Sequence, residues 1–178
     1  MTIISKELSD ALADVSVVMM CGVSGSGKTF FAQELESRGF IRLSADVDVW
    51  NAYGSDYAQK TKAEQHIIYM GALAGAIGRV PELLQQRKRV VIDASMCKRA
   101  RRDDVAQICS RAGVGHVIVY LDSPRTTLLE RLKTRGGSGP DDQFVSEAEL
   151  EVFLAHFEPP CSDERFIHIK NSNASTKE

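Results

Sequence analysis

Short apolar runs alternate along the chain with longer stretches of helical periodicity. The runs are Val15–Cys21, Phe40–Leu43, Arg89–Asp93, His116–Leu121 and Arg165–Ile169. Within them, Val17–Met20, Val90–Ile92 and Val117–Tyr120 show no polar alternation. Strands that are apolar on both faces belong in a parallel sheet covered by helices on each side. The intervening stretches read as helices. The first starts in a glycine-rich loop and runs to about Arg38, where Gly39 stops it. The second spans roughly Asp56 to Arg87, and its Gly71, Gly75, Gly78 and Pro81 predict a kink or two helices. A third covers Lys98–Ala112 and ends at Gly113; a fourth covers Pro124–Thr134. A fifth begins at Ser146, where S-E-A-E fits a capping box. This order predicts an α/β fold, a three-layer α/β/α sandwich around a central five-stranded parallel sheet. Residues 1–14 read as a short helix on the outside, Gly136–Asp142 as a flexible loop and 171–178 as a frayed tail. The whole chain, 1–178, reads as a single domain.

Composition narrows the picture. At 43% hydrophobic the chain can bury a full core without disulfide or metal support. A formal net charge of -2 gives no global attraction for nucleic acid or anionic lipid, which disfavours a polynucleotide partner. Cys21, Cys97, Cys109 and Cys161 are scattered and form no C-x-x-C pair, so buried reduced thiols are expected rather than a zinc site. No signal-peptide pattern opens the chain, and no apolar run reaches the ~18 residues of a membrane span. The expectation is a soluble cytoplasmic protein with no membrane partner; oligomeric state is open.

The chemistry starts after the first apolar run. Gly22-Val23-Ser24-Gly25-Ser26-Gly27-Lys28-Thr29 matches G-x-x-x-x-G-K-[ST] in full, with an apolar strand before it and a helix after it. Backbone N–H groups must converge on a polyphosphate, which needs residues free of Cβ clashes. The helix starting near Gly27 adds its positive dipole end. In this reading Gly22, Ser24, Gly25, Ser26, Gly27, Lys28 and Thr29 bind a nucleoside triphosphate. Lys28 bridges the β- and γ-phosphates and the Thr29 hydroxyl ligates Mg²⁺. No guanine-reading N-K-x-D occurs; ATP is the expected donor, with GTP left open.

In an open parallel sheet, ligands gather at the carboxyl ends of the strands. The second strand exits into Ser44-Ala45-Asp46-Val47-Asp48. Asp46, nearer the strand end, is the preferred base for an acceptor hydroxyl, with capping of the following helical turn as its alternative. Asp48 reads the other way, as a cap first. Trp50 and Tyr53 either line an acceptor pocket or pack their helix. Asp93 closes the third strand in the manner of an acid that holds Mg²⁺ through water; its alternative is a helix cap. Lys98-Arg99-Ala100-Arg101-Arg102 either holds an anionic acceptor or is a solvated face, whereas Arg87-Lys88-Arg89 precedes its strand and reads as solvated. Arg131 and Arg135 share a helix face just before Gly136-Gly137. They suggest a lid, around 131–146, that closes over ATP and neutralises transferring charge, against two arginines placed by the helix dipole. His66, His116, His156 and His168 read as structural or solvent-facing.

Taken in order, these motifs resemble the small P-loop kinases grouped with polynucleotide kinases, zeta-toxin kinases and gluconate-type kinases, often labelled AAA-family ATPase-like. The resemblance rests on G-V-S-G-S-G-K-T, L-S-A-D, V-V-I-D-A-S with a basic helix start, V-Y-L-D-S-P-x₃-L-L-E-R-L-K-T-R and H-F-E-P-P. It implies a P-loop NTPase fold of the nucleotide-kinase type with an ATP·Mg²⁺ donor. It also implies that Asp46 matches the acceptor-activating acid and that Arg131 and Arg135 match lid arginines. Polynucleotide kinases commonly carry D-x-x-R where this chain has Asp46 and Val49, and a gluconate-type signature is missing after Arg135. The expected activity is transfer of the γ-phosphate of ATP to a hydroxyl of a small molecule. A polynucleotide 5′-hydroxyl and a non-transferring ATP-binding or ATPase regulator are the alternatives.

Overall fold

The computed structural model describes residues 6–170; the expected tail at 171–178 and the first residues of the expected outer helix lie outside them. The five apolar runs become β1 (Val17–Cys21), β2 (Phe40–Ser44), β3 (Arg89–Asp93), β4 (His116–Asp122) and β5 (Phe166–Lys170). They form one sheet in the order β2-β3-β1-β4-β5. Every pairing is parallel. Each strand therefore ends at the same edge, and Ser44 of β2 lies directly beside Asp93 of β3.

The unbroken apolar runs are explained by the two covered faces. Val17, Met19, Val90, Ile92 and Ile118 point to one side, into a core with residues of α4 (Lys62–Gly78), α5 (Val80–Gln85) and α6 (Arg99–Ala112). Val18, Met20, Val91, Val117 and Val119 point to the other. There they meet Phe31, Ala32 and Leu35 of α2 (Lys28–Ser37) and Leu12, just past α1 (Lys6–Ala11). A smaller cluster joins Val23 to Leu128 and Leu132 of α7 (Arg125–Lys133) and Leu150 of α8 (Glu147–Ala155). Each such fully buried side chain contributes roughly 1.5–3 kcal/mol.

Several expectations need refinement. The stretch expected as one kinked helix is a 3₁₀ segment, Gly54–Gln59, followed by α4 and α5, with the break at Arg79 and Pro81 in the first turn of α5. Arg79 Nη2 donates to Asp48 Oδ2 at 2.5 Å. By length and composition Lys62–Gln85 could cross a membrane, with a mean hydropathy of 1.4. Its Leu73, Ala76, Ile77 and Val80 pack into the core, although only 22% of the apolar window is buried, so this segment departs from the expectation that none reaches span length. The helical turn expected after β2 is a full helix, α3 (Ala45–Tyr53). Its cap is neither Asp46 nor Asp48 but Ser44, whose Oγ accepts from the Val47 N–H. The capping box at Ser146 and Glu149 forms as the pattern predicts.

The basic run at α6 is not a solvated face throughout. Arg102 is 1% exposed and grips Glu164 through two bonds of 2.7 and 3.0 Å, while donating to the carbonyls of Met96 and Glu158. Arg89 is not simply solvated either: it donates to the carbonyls of Val15 and Leu12 and covers the Phe40 ring at 4.0 Å. All four cysteines are free thiols, but only Cys21 and Cys109 are buried; Cys161 is exposed, against expectation. Burial pushes the Cys21 thiol up to about 12, which keeps it protonated and unreactive.

Candidate functional site

The turn after β1 shows why its glycines are needed. Gly22 has φ +144°, and a Cβ there would stand 2.6 Å from the Leu121 carbonyl oxygen and 2.7 Å from Ser26 Oγ. Gly27 sits in the left-handed region at the N-terminus of α2. Ser24, Gly25, Gly27, Lys28 and Thr29 line a cleft of about 2170 Å³. Asp46, Asp93, Arg131 and Arg135 line the same cleft. Ser26 and Gly22 lie behind the loop surface, both buried.

The charged groups are coupled. Lys28 Nζ donates to the Val23 carbonyl at 2.9 Å, within its own loop. Burial lowers its pKa, opposed by the charges of Asp93 and Asp46. Thr29 Oγ1 donates to Asp93 Oδ1 at 3.4 Å. Asp93 is 2% exposed, and burial raises its pKa against the pull of Arg42 and Lys28. Asp46, at the start of α3, is pushed up to about 6: burial and the nearby Asp93 charge raise it, and Lys28 opposes them. A carboxyl poised near neutrality can take a proton and release it again.

Arg42 is a site residue that motif reading missed. It rises from β2 and contacts Asp93 Oδ2 through Nε at 2.8 Å and Nη2 at 2.6 Å. The same guanidinium reaches Asp141 Oδ1 at 2.8 Å. An arginine inside an apolar strand was the available signal. Asp141 also accepts from Gln33, and Gln143 Nε2 donates to Asp46 Oδ1 at 3.0 Å. The segment after α7 is thus tied across the cleft. From α7, Arg131 donates to the Gly25 carbonyl at 3.1 Å. Arg135 reaches Ser24 Oγ and the Gln143 carbonyl, each at 3.4 Å. Both arginines therefore touch the phosphate loop.

Other candidates part from the cleft. Neither Trp50 nor Tyr53 lines it; the aromatic rings near Asp46 belong to Tyr57 and Tyr69. Of the basic run at α6, Lys98 and Arg101 do line it, but Lys98 pairs with Glu158 at 2.8 Å and Arg101 with Asp104 at 3.5 Å. His168 stacks on Tyr120 and meets Asp122; His156 contacts the Val152 carbonyl and, like His66, lines the cleft, where neither had been expected. Cys161, Asp163 and Glu164 lie close enough to suggest a metal. Their carboxylates are held instead by Arg99 and Arg102.

A five-stranded parallel sheet in this order, with a glycine-rich phosphate-type loop after its central strand, defines the kinase-like P-loop NTPases. The chain belongs to the AAA domain family, whose pattern it matches over residues 17–160. No curated protein matches its sequence. Among solved structures it is similar to a Chloroflexus aurantiacus protein, with a TM-score of 0.71 and 14% identity, covering 93% of this chain and 92% of that one. It is also similar to a gluconokinase from Sinorhizobium meliloti 1021, with a TM-score of 0.60 and 24% identity over 91% of this chain and 84% of that one. A third likeness is to Chaetomium thermophilum Kti12 in complex with ADP-AlF3, with a TM-score of 0.62 and 16% identity over 86% and 88% of the two chains. At these identities the likeness shows the fold alone, that of the P-loop kinases.

Proposed function

We propose that the protein is an ATP-dependent phosphotransferase acting on a hydroxyl of a small molecule. The observation that carries the reading is the shared cleft. A carboxyl with a pKa near 6 stands beside the loop lysine, in a space wide enough for nucleotide and acceptor together. A protein that only bound ATP would have no use for such a base.

The loop amides and Lys28 hold the triphosphate tail, where the dipole of α2 adds to their field. Asp46 accepts the proton of the acceptor hydroxyl as its oxygen attacks the γ-phosphorus. The O–P bond forms, the bond from Pγ to the β,γ-bridging oxygen breaks, and ADP leaves. Arg131 and Arg135 stabilise charge on the transferring group from the lid side. Gln143 and Asp141 draw the lid segment over the site and exclude water. Two hard oxygen donors, Thr29 Oγ1 and Asp93 Oδ1, face each other at the loop edge and suit Mg²⁺. When bound there the ion would neutralise phosphate charge, and Arg42 would keep the Asp93 carboxylate in place.

Likeness to a gluconokinase supports the small-molecule acceptor, and the -2 net charge argues against a polynucleotide. Purified protein is to be screened for phosphate transfer from labelled ATP across sugars, nucleosides, aminoglycosides and a 5′-hydroxyl oligonucleotide. Transfer is expected to one small-molecule class, lost in Lys28→Ala. Full turnover in Asp46→Asn removes Asp46 as the base. Nucleotide binding with no transfer to any acceptor favours a regulator.

A further inference from the structure

Seven large apolar side chains lie exposed among the described residues. Four of them, Phe30, Phe144, Val152 and Phe153, line the cleft that holds Asp46. Exposed apolar side chains are ordinary when scattered and informative when they converge. Below that rim, α4 contributes Tyr69 and Met70 to the same wall. Lys62 of α4 pairs with Glu149 of α8 at 2.5 Å, so the two helices face each other across the mouth.

The charges of the cleft point the same way. Among the cations that line the cleft, Lys62, Lys98 and Arg101 each pair with a carboxylate of the chain: Glu149, Glu158 and Asp104; His66 and His156 line it as well. Lys28, Arg131 and Arg135 stand at the phosphate loop, where ATP would engage them. Lys170 ends β5, at the sheet edge opposite β2 and Asp46. The charges of Lys28 and Arg135 reach Asp46, but the triphosphate would take them up, so an acceptor carrying its own negative charge would meet Asp46 and Asp93 beside an already anionic nucleotide.

We infer that the acceptor is an uncharged alcohol borne on an aromatic or aliphatic body. This rests on the phosphotransferase reading and deepens it. The hydroxyl points at Asp46, and the apolar body lies between α4 and the wall formed by Phe144, Val152 and Phe153. Sugar acids, phosphate esters and nucleic-acid ends are disfavoured, because each brings an anion to a place whose cations are already neutralised.

The test uses matched pairs that differ in one charge, measured by ligand-observed NMR on the full chain with ADP and Mg²⁺ present. Phenyl β-glucoside is set against phenyl β-glucuronide, and a nucleoside against its 3′-monophosphate. The uncharged member of each pair is expected to bind at least tenfold more tightly. Phe153→Ala and Val152→Ala, both on exposed side chains of α8, should weaken that binding at least threefold and leave ADP affinity unchanged. Equal or tighter binding of the anionic members overturns the proposal, as does the absence of binding by either uncharged member at millimolar concentration. ADP affinity in wild type and Lys28→Ala is measured in parallel. A failure there strikes the nucleotide site and the phosphotransferase reading, not the acceptor preference.

Discussion

Replacing Asp46 by Asn should make the protein more stable at neutral pH while abolishing phosphate transfer. The carboxyl is raised from an ordinary 3.8 to about 6, by burial first and then by Asp93. A raised acid pKa means that the native chain holds this proton more tightly than the unfolded chain. As pH rises from about 4 to 6, the group therefore withdraws stability, and above 6 its full cost is in place. Two units at roughly 1.4 kcal/mol each amount to about 3 kcal/mol at pH 7.5. By the same linkage the cost is only about 1 kcal/mol at pH 4.5. Asn carries no charge at either pH and still offers an amide oxygen to Gln143, whose Nε2 now donates to Asp46. Urea unfolding of both proteins at the two pH values reads the difference directly. The Asn variant should gain about 3 kcal/mol at pH 7.5, worth some 6–10 °C in Tm for a chain of this size, and about a third of that at pH 4.5. A gain that does not change with pH, or a loss at pH 7.5, would refute the electrostatic account. In the wild type, the rate of transfer should rise with pH through about 6 and then level, since the base must be ionised.

Gly22→Ala should cost about 2–4 kcal/mol and at least tenfold in ATP affinity by calorimetry, because its Cβ has nowhere to go at a positive φ against the β4 backbone. Glu164→Ala should destabilise by roughly 3–5 kcal/mol in urea, since it leaves the buried Arg102 charge without its partner. Chelation with EDTA should abolish transfer and added Mg²⁺ should restore it, with unchanged circular dichroism throughout.

The phosphate loop and the sheet were legible in the sequence because both are local. A glycine pattern between an apolar strand and a helix states its own geometry, and strands covered on both faces have no polar alternation to hide them. Strand ends were therefore placed within a residue or two, and Asp46 and Asp93 were found by reading each strand at its exit. The full length of α3 was not legible because Ala45–Tyr53 carries two acids and an asparagine, and only burial of Ala45 and Val49 shows which face packs.

Long-range partners were not legible at all. Arg42 and Asp93 are 51 residues apart, and only parallel pairing of β2 with β3 brings them together. Arg102 reads as one more cation in a basic run, yet Glu164, 62 residues on, makes it a buried strut. Sequence by itself determined the glycine-rich turn after β1 and the acids at the exits of β2 and β3. Tertiary structure alone decided which cations are already neutralised and which apolar rings share the cleft. Burial and pairing are properties of neighbours in space, and folding chooses those neighbours from distant parts of the chain.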